Sequence, residues 1–316
     1  MCHPSKFGVR SKRHKEVRKQ TMPNTMHESD FKKRVMIKGA GEFLPGTSIE
    51  IIREPAGRGE YRHVLFDFDG TISLIREGWP EIMIPMCVEI LMETPNHELP
   101  EEVRKVVHEF VSRLTGKQTI YQMMALVEEI EKRGGTPEEP LVYKQMYLDR
   151  LMELIKDRRE ALRIGKAKPV DMMVPGALDL LKSLKEKGMQ MYLASGTDEP
   201  FVKDEAGLLG MIPYFGEHHV YGAIDGRLDY SKAMVIQRIL EENKLDGVQL
   251  LGFGDAFVEI DSVKAVGGTG IGVASDEAGR SGKPDEWKRE RLIGIGADII
   301  IPDFREQAAL MGYIFP

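Results

Sequence analysis

Residues 63–74, reading H-V-L-F-D-F-D-G-T-I-S-L, constrain this chain more than any other stretch. Val64, Leu65 and Phe66 form an apolar run bounded by charge and glycine, the pattern of a strand buried on both faces of a parallel sheet. Such a strand delivers Asp67 and Asp69 to its carboxyl end, where open α/β sheets bind their ligands. Gly70 lets the chain turn sharply with its backbone close to a ligand, and Thr71 sets a short hydroxyl beside the two carboxylates. Two like charges two residues apart are costly to crowd together without a cation or a proton, so the pair points to a metal site. Asp-Gly after a strand is also an ordinary turn signal, and the rest of the chain has to decide between the two.

A length of 316 residues leaves room for two domains. With 42% hydrophobic and 30% charged residues the composition is that of a globular protein, and a net charge of -6 gives no general attraction to phosphate backbones, so nucleic acid is not an expected partner. Cys2 and Cys87 lie far apart without ligand-like spacing, which argues against a disulfide framework or a zinc site and for a reducing compartment. No apolar run reaches the roughly 18 residues of a membrane span, and no signal-peptide core is read at the N-terminus; a cytoplasmic protein, off the membrane, is expected.

In chain order, residues 1–35 are basic and polar and read as a solvated, disordered tail. Residues 36–62 contain Gly39, Gly41, Pro45, Gly46 and a strand-like run at 48–53, a lead-in strand or hairpin. From 80 to 168 the strand signal vanishes and apolar residues recur at helical spacing, predicting helices over 82–92, 100–114, 120–132 and 140–164. The methionines on these faces, Met83, Met86, Met92, Met123, Met124, Met146 and Met152, are expected to pack. After Asp171 strands and helices alternate, which predicts a doubly wound parallel sheet with right-handed crossovers. A helix over 175–187 precedes a strand over 189–194 that opens into Ser195-Gly196-Thr197; extended pieces follow at 214–215 and 219–221, then a turn at Asp225-Gly226. Ser231 reads as the N-cap of a helix over 232–242. Further strands are expected over 248–253, 270–274 and 297–301, the first ending in Gly254-Asp255 and the last followed by a closing helix.

Four strand or helix ends now carry polar groups in a fixed order, and in that order the chain resembles the haloacid dehalogenase superfamily, in its phosphatase branch. Asp67-Phe68-Asp69-Gly70-Thr71 matches the first motif, Ser195 the second, Lys232 the third, and Gly254-Asp255 with Glu259 the fourth, together spanning about residues 62–274. The resemblance implies a Rossmann-like core at 63–79 and 169–316, with residues 80–168 as an all-helical cap of the C1 type inserted after the first strand, as in phosphoglycolate phosphatases. It implies Asp67 as nucleophile and Asp69 as general acid and base. Ser195, Gly196, Lys232 and Thr71 would bind phosphoryl oxygens, and Mg²⁺ would be held by Asp67, Asp69 through its backbone carbonyl, and Asp255 with Glu259. Glu259 stands where an aspartate is commoner, so it would reach the ion through a water, or Asp261 would share the role.

The second aspartate separates this chain from dehalogenase relatives, which need no protonated leaving group. Phosphonatase-like relatives use a cap lysine; Lys117 is a candidate, against its reading as a surface lysine near a helix end. The stretch 113–119 joins two predicted helices and offers Arg113, Lys117 and Gln118 as contacts to a second anionic group or to sugar hydroxyls, or else is a solvated turn. The function expected is Mg²⁺-dependent hydrolysis of a small phosphorylated metabolite, a sugar phosphate or phosphoglycolate, by a monomer or homodimer. A β-phosphoglucomutase-like phosphomutase and a non-catalytic phosphometabolite binder stay open as alternatives.

Overall fold

A computed structural model describes residues 30–33, 41–224 and 231–316. Among the described residues eight strands make one sheet: β1 (Glu42–Phe43), β2 (Glu50–Ile51), β3 (His63–Phe66), β4 (Gln190–Asp198), β5 (Val220–Ala223), β6 (Leu250–Gly254), β7 (Thr269–Val273) and β8 (Ile299–Ile301). Their spatial order is β1-β2-β8-β7-β6-β3-β4-β5. From β8 to β5 every pairing is parallel, and β1 and β2 add an antiparallel hairpin at one edge. β3 is central and wholly buried, with Leu65 in register between Tyr192 and Gly252, as expected of the apolar run Val64-Leu65-Phe66, while the His63 ring meets the Tyr192 hydroxyl at 3.0 Å.

Residues 80–168 contain no strand and form four helices, α1 (Pro80–Met92), α2 (Pro100–Leu114), α3 (Thr119–Lys132) and α4 (Pro140–Arg163). Proline opens α1, α2 and α4, where its missing N–H leaves no hydrogen bond unmade. Val103, Val107, Phe110, Val111 and Leu114 form the buried stripe of α2. Met83, Met86 and Met123 are buried, whereas Met124 and Met146 face outward. Met83, Met86 and Tyr147 join Phe68 and Ile72 in one apolar core, so these helices pack directly on the loop that follows β3.

The remaining helices are α5 (Ala177–Glu186), α6 (Glu199–Leu208), α7 (Ile212–Phe215), α8 (Lys232–Asn243), α9 (Phe257–Ala265), α10 (Glu286–Ile295) and α11 (Gln307–Ile314). Several details differ from the sequence reading, which assigned no helix where α10 stands. Tyr214-Phe215 is helical rather than extended, because Pro213 sits in the first turn of α7. β4 continues through Ser195-Gly196-Thr197 to Asp198 with a register shift, so those polar residues extend the strand instead of leaving it. α9 was hidden because Phe257, Val258, Glu259, Ile260, Ser262 and Val263 are all buried, which erases the apolar stripe that marks a surface helix.

Most of the basic stretch 1–35 and the turn at Asp225-Gly226 lie outside the described residues. Of that stretch, Phe31 packs edge-on against Phe257 with centroids 5.6 Å apart, which is not the behaviour of a solvated tail. No helix among the described residues is long and apolar enough to cross a membrane.

Candidate active site

The loop after β3 is fixed before any ligand is considered. The Asp67 N–H donates to the Phe253 carbonyl of β6 at 2.9 Å, and the rings of Phe66 and Phe253 stack with centroids 4.8 Å apart. The N–H groups of Ile72 and Ser73 both reach the Phe68 carbonyl at 2.9 Å, closing a tight turn. At its tip Gly70 has φ +75°, and a Cβ there would lie 2.2 Å from Asp255 Oδ2. Only glycine allows the two strand ends to approach this closely.

Asp67 is held from α8. Ser231 Oγ accepts the Met234 N–H at 3.2 Å and starts that helix, which turns Lys232 inward to within 2.7 Å of Asp67 Oδ1. A lysine in the first turn opposes the helix dipole, and here two carboxylates offset that cost. The second is Glu259, which pairs with Lys232 from the far side. Gly254 makes room for it, since a Cβ there would be 2.8 Å from Glu259 Cβ. Glu259 therefore lies behind Lys232, and neither it nor Asp261 lines the pocket that Asp67 and Asp255 share. Burial pushes the Asp67 carboxyl up, Lys232 opposes this, and the charge of Asp255 raises it again, to about 6.

Asp69 has a different environment. Its Oδ2 accepts from Thr197 Oγ1 at 2.9 Å and from Ser195 Oγ at 3.4 Å. Its Oδ1 has no hydrogen-bond partner and is 3.9 Å from Arg76 Nε, whose guanidinium is clamped on Glu205 at 2.9 and 2.8 Å. Burial is the main force raising this carboxyl; Arg76 opposes it, Glu205 and Asp67 add to it, and the result is about 7. Both carboxyls are thus raised by burial, but they meet different partners: Asp67 faces the Lys232 ammonium, and Asp69 two hydroxyls and the more distant Arg76.

Asp255 completes the floor. Its N–H donates to Thr71 Oγ1 at 2.9 Å, and that hydroxyl lies 3.4 Å from both Asp67 Oδ2 and Asp255 Oδ1. Lys288 Nζ donates to Asp255 Oδ2 and Glu277 Oε1, each at 2.7 Å, and to Ser275 Oγ at 3.0 Å. Among the described residues no three Asp, Glu, His or Cys side chains are grouped to enclose a metal by themselves. The donor set is nonetheless suited to Mg²⁺, which keeps several waters and needs only one or two carboxylates. Among the described residues six carboxylates (Asp67, Asp69, Glu205, Asp255, Glu259 and Glu277) are ion-paired with four cations, Arg76, Arg159, Lys232 and Lys288. That surplus of negative charge, with Asp67 Oδ2 and Asp255 Oδ1 turned toward one hydroxyl, fits a divalent cation.

The connection between α2 and α3 lies across these strand ends. A Cβ on Gly116 would be 2.6 Å from Ala256 Cβ, and one on Gly196 would be 2.7 Å from the Lys117 carbonyl oxygen. Thr115, Gly116, Lys117, Thr119 and Gln122 thus face Asp67, Asp69, Ser195, Gly196, Lys232 and Asp255 across a pocket of about 100 Å³, with Trp79, Met83 and Tyr147 as further walls. Lys117 is not a surface lysine: its side chain is 5% exposed, its ammonium lies 2.9 Å from Asp30 Oδ1, and it sits over the Tyr121 ring. Arg113 pairs with Asp30 and Glu109 and, like the buried Gln118, does not line the pocket.

The sequence reading passed over Arg76, Thr197, Glu277 and Lys288. For Lys288 a signal existed. It stands in the first turn of a helix whose N-cap, Asp285, accepts its N–H at 2.9 Å, the same unfavourable position against the dipole that marks Lys232. Arg76 and Glu277 sit in loops whose course no pattern announces.

Residues 61–267 match the family profile of the haloacid dehalogenase-like hydrolases. Among solved structures, a putative β-phosphoglucomutase from Bacteroides vulgatus superposes with a TM-score of 0.53 at 15% identity, covering 82% of this chain and 92% of its own. A haloacid dehalogenase hydrolase of family IA, variant 3, from Entamoeba histolytica gives 0.52 at 17% identity over 81% of this chain and 100% of its own. A haloacid dehalogenase-like family protein from Streptococcus pneumoniae gives 0.51 at 17% over 80% and 99%. At these identities the structures speak for the fold alone. No curated protein matches the chain by sequence.

Proposed function

Because the chain belongs to the haloacid dehalogenase-like hydrolase family, we propose that it is a Mg²⁺-dependent phosphatase acting on a small phosphorylated metabolite, a sugar phosphate or phosphoglycolate. One observation carries this reading: Asp67, ion-paired with Lys232, and Asp69, one of whose oxygens accepts no hydrogen bond, line the same small pocket. Asp67 attacks phosphorus, the ester P–O bond breaks, and protonated Asp69 gives its proton to the departing alkoxide. Asp69, now a carboxylate, takes a proton from water as that water attacks the aspartyl-phosphate, which releases phosphate and restores Asp67. Lys232, Ser195 and the Gly196 N–H hold phosphoryl oxygens through both halves, whereas Thr71, expected among them, is fully buried outside the pocket lining and fixes Asp255 instead. A Mg²⁺ ion held by Asp67, the Asp69 carbonyl and Asp255 supplies charge screening between nucleophile and phosphate. Helices α1–α4 serve as a cap that limits leaving-group size and keeps bulk water away.

The test is phosphate release from a panel of sugar phosphates, phosphoglycolate, nucleotides and an aryl phosphate. At least one small phosphomonoester is expected to turn over, with a loss on the order of 10²-fold or more on chelation and recovery on adding Mg²⁺. Isomerisation of a sugar phosphate without net release would replace this reading with a phosphomutase. Binding without any turnover would replace it with a binder.

Gly70→Ala is expected to abolish most of the turnover. An alanine Cβ would collide with Asp255 Oδ2, and its backbone would be strained at φ +75° by about 1–3 kcal/mol. Circular dichroism should show the fold retained; undiminished kcat/KM would mean that Asp255 is not needed where it stands.

A further inference from the structure

Lys288 is an ammonium whose donors are fully used. An ammonium has three N–H bonds, and here three acceptors surround it: Asp255 Oδ2 and Glu277 Oε1 at 2.7 Å and Ser275 Oγ at 3.0 Å. The side chain is 12% exposed and enters from the first turn of α10. Ser275 in turn donates to the Gly70 carbonyl at 2.7 Å, which ties the cluster to the loop carrying Asp67 and Asp69. Asp255 is thereby held by Oδ2, and its Oδ1 is left facing Thr71 and Asp67. Glu277 also lines the pocket. Neither residue has a role in the phosphatase scheme above.

We propose that Lys288 is a resident counter-cation of the metal site, sharing Asp255 with the divalent ion, and that Lys288 and Glu277 together set how tightly that ion is held. The inference rests on the Mg²⁺ reading given above. A fixed positive charge one hydrogen bond away from a metal-holding carboxylate repels a divalent ion, and Glu277 beside it cancels most of that repulsion. Removing either partner unbalances the pair, in opposite directions. Losing Lys288 leaves an extra carboxylate charge beside the ion, and this outweighs the loss of one hydrogen bond orienting Asp255. Losing the Glu277 charge leaves the ammonium to Asp255 alone.

Calorimetric titration of metal-free, full-length protein with MgCl₂ tests this. Lys288→Met is expected to bind Mg²⁺ at least about tenfold more tightly than wild type, Glu277→Gln about fivefold or more weakly, and Lys288→Arg, which keeps the charge, close to wild type. If Lys288→Met does not fold, the double variant Lys288→Met/Glu277→Gln carries the test, since it should bind more tightly than Glu277→Gln alone. A residue that only supported the fold would weaken binding in every variant. Wild-type binding with no tightening on loss of Lys288 overturns the inference and leaves the metal site standing. No Mg²⁺ binding by wild type overturns the metal reading and this inference with it.

Discussion

Asp67→Asn is expected to lower phosphate release by on the order of 10⁴-fold or more while the protein stays folded. An amide has the shape of a carboxylate but does not attack phosphorus, so the aspartyl-phosphate cannot form and the reaction loses its two-step route. Stability separates this from trivial inactivation. Asp67 ordinarily titrates near 3.8 and is raised to about 6 in the fold, where it is almost fully buried. Between those two values the folded protein keeps a proton that the unfolded chain releases. The cost of ionising Asp67 therefore builds up as pH rises through that window and is complete above it. Asparagine carries no such cost. Metal-free Asp67→Asn should thus be at least as stable as wild type above about pH 6, by about 1–3 kcal/mol, with the gain fading toward pH 4. Denaturant unfolding at the two pH values checks it. A variant that is both inactive and clearly less stable at neutral pH would show that the carboxylate is needed for structure rather than for attack.

What the sequence disclosed follows from which interactions leave a periodic or local trace. The central strand was legible because Val64, Leu65 and Phe66 offer nothing polar to solvent, and helix α2 because one face of it is apolar and the other charged. Asp67, Asp69 and Asp255 stood out because each ends an apolar run. Lys232 did so because it starts a helix. The placement of Glu259 was not legible in the same way. The helix that carries it was itself hidden, and whether Glu259 faces the pocket or backs onto Lys232 depends on how closely α9 approaches β6, which Gly254 decides. Arg76 and Glu205 are 129 residues apart and meet only because the loop after β3 and helix α6 are folded against each other. No spacing rule connects them. Lys117 misled for a related reason. A lysine beside a glycine in a helical connection is ordinarily solvated, and burial arises here because that connection is pressed onto the strand ends at Gly196 and Ala256.

Arg76→Met is expected to be the most destabilising single change near the site. The guanidinium meets Glu205 through two parallel hydrogen bonds, at 2.9 and 2.8 Å, with side-chain exposures of 6% and 0%. Removing one partner of a buried pair strands the other charge at a cost of about 3–5 kcal/mol, because Glu205 would keep only the more distant Arg159, 4.0 Å away. Replacing both, as Arg76→Met/Glu205→Leu, should restore most of that stability, since neither charge of the closely paired couple is then left without the other. The same double variant should also move the pH profile. At Asp69 the lowering by Arg76 outweighs the raising by Glu205, so removing both lifts the carboxyl further above about 7. Its acid form then persists to higher pH, and the alkaline limb of kcat/KM should shift upward. Thermal unfolding of both variants and a pH–rate profile of the double one decide the matter. Equal destabilisation of the two variants would mean that Arg76 stabilises the fold by packing against Phe201 and not by pairing its charge with Glu205.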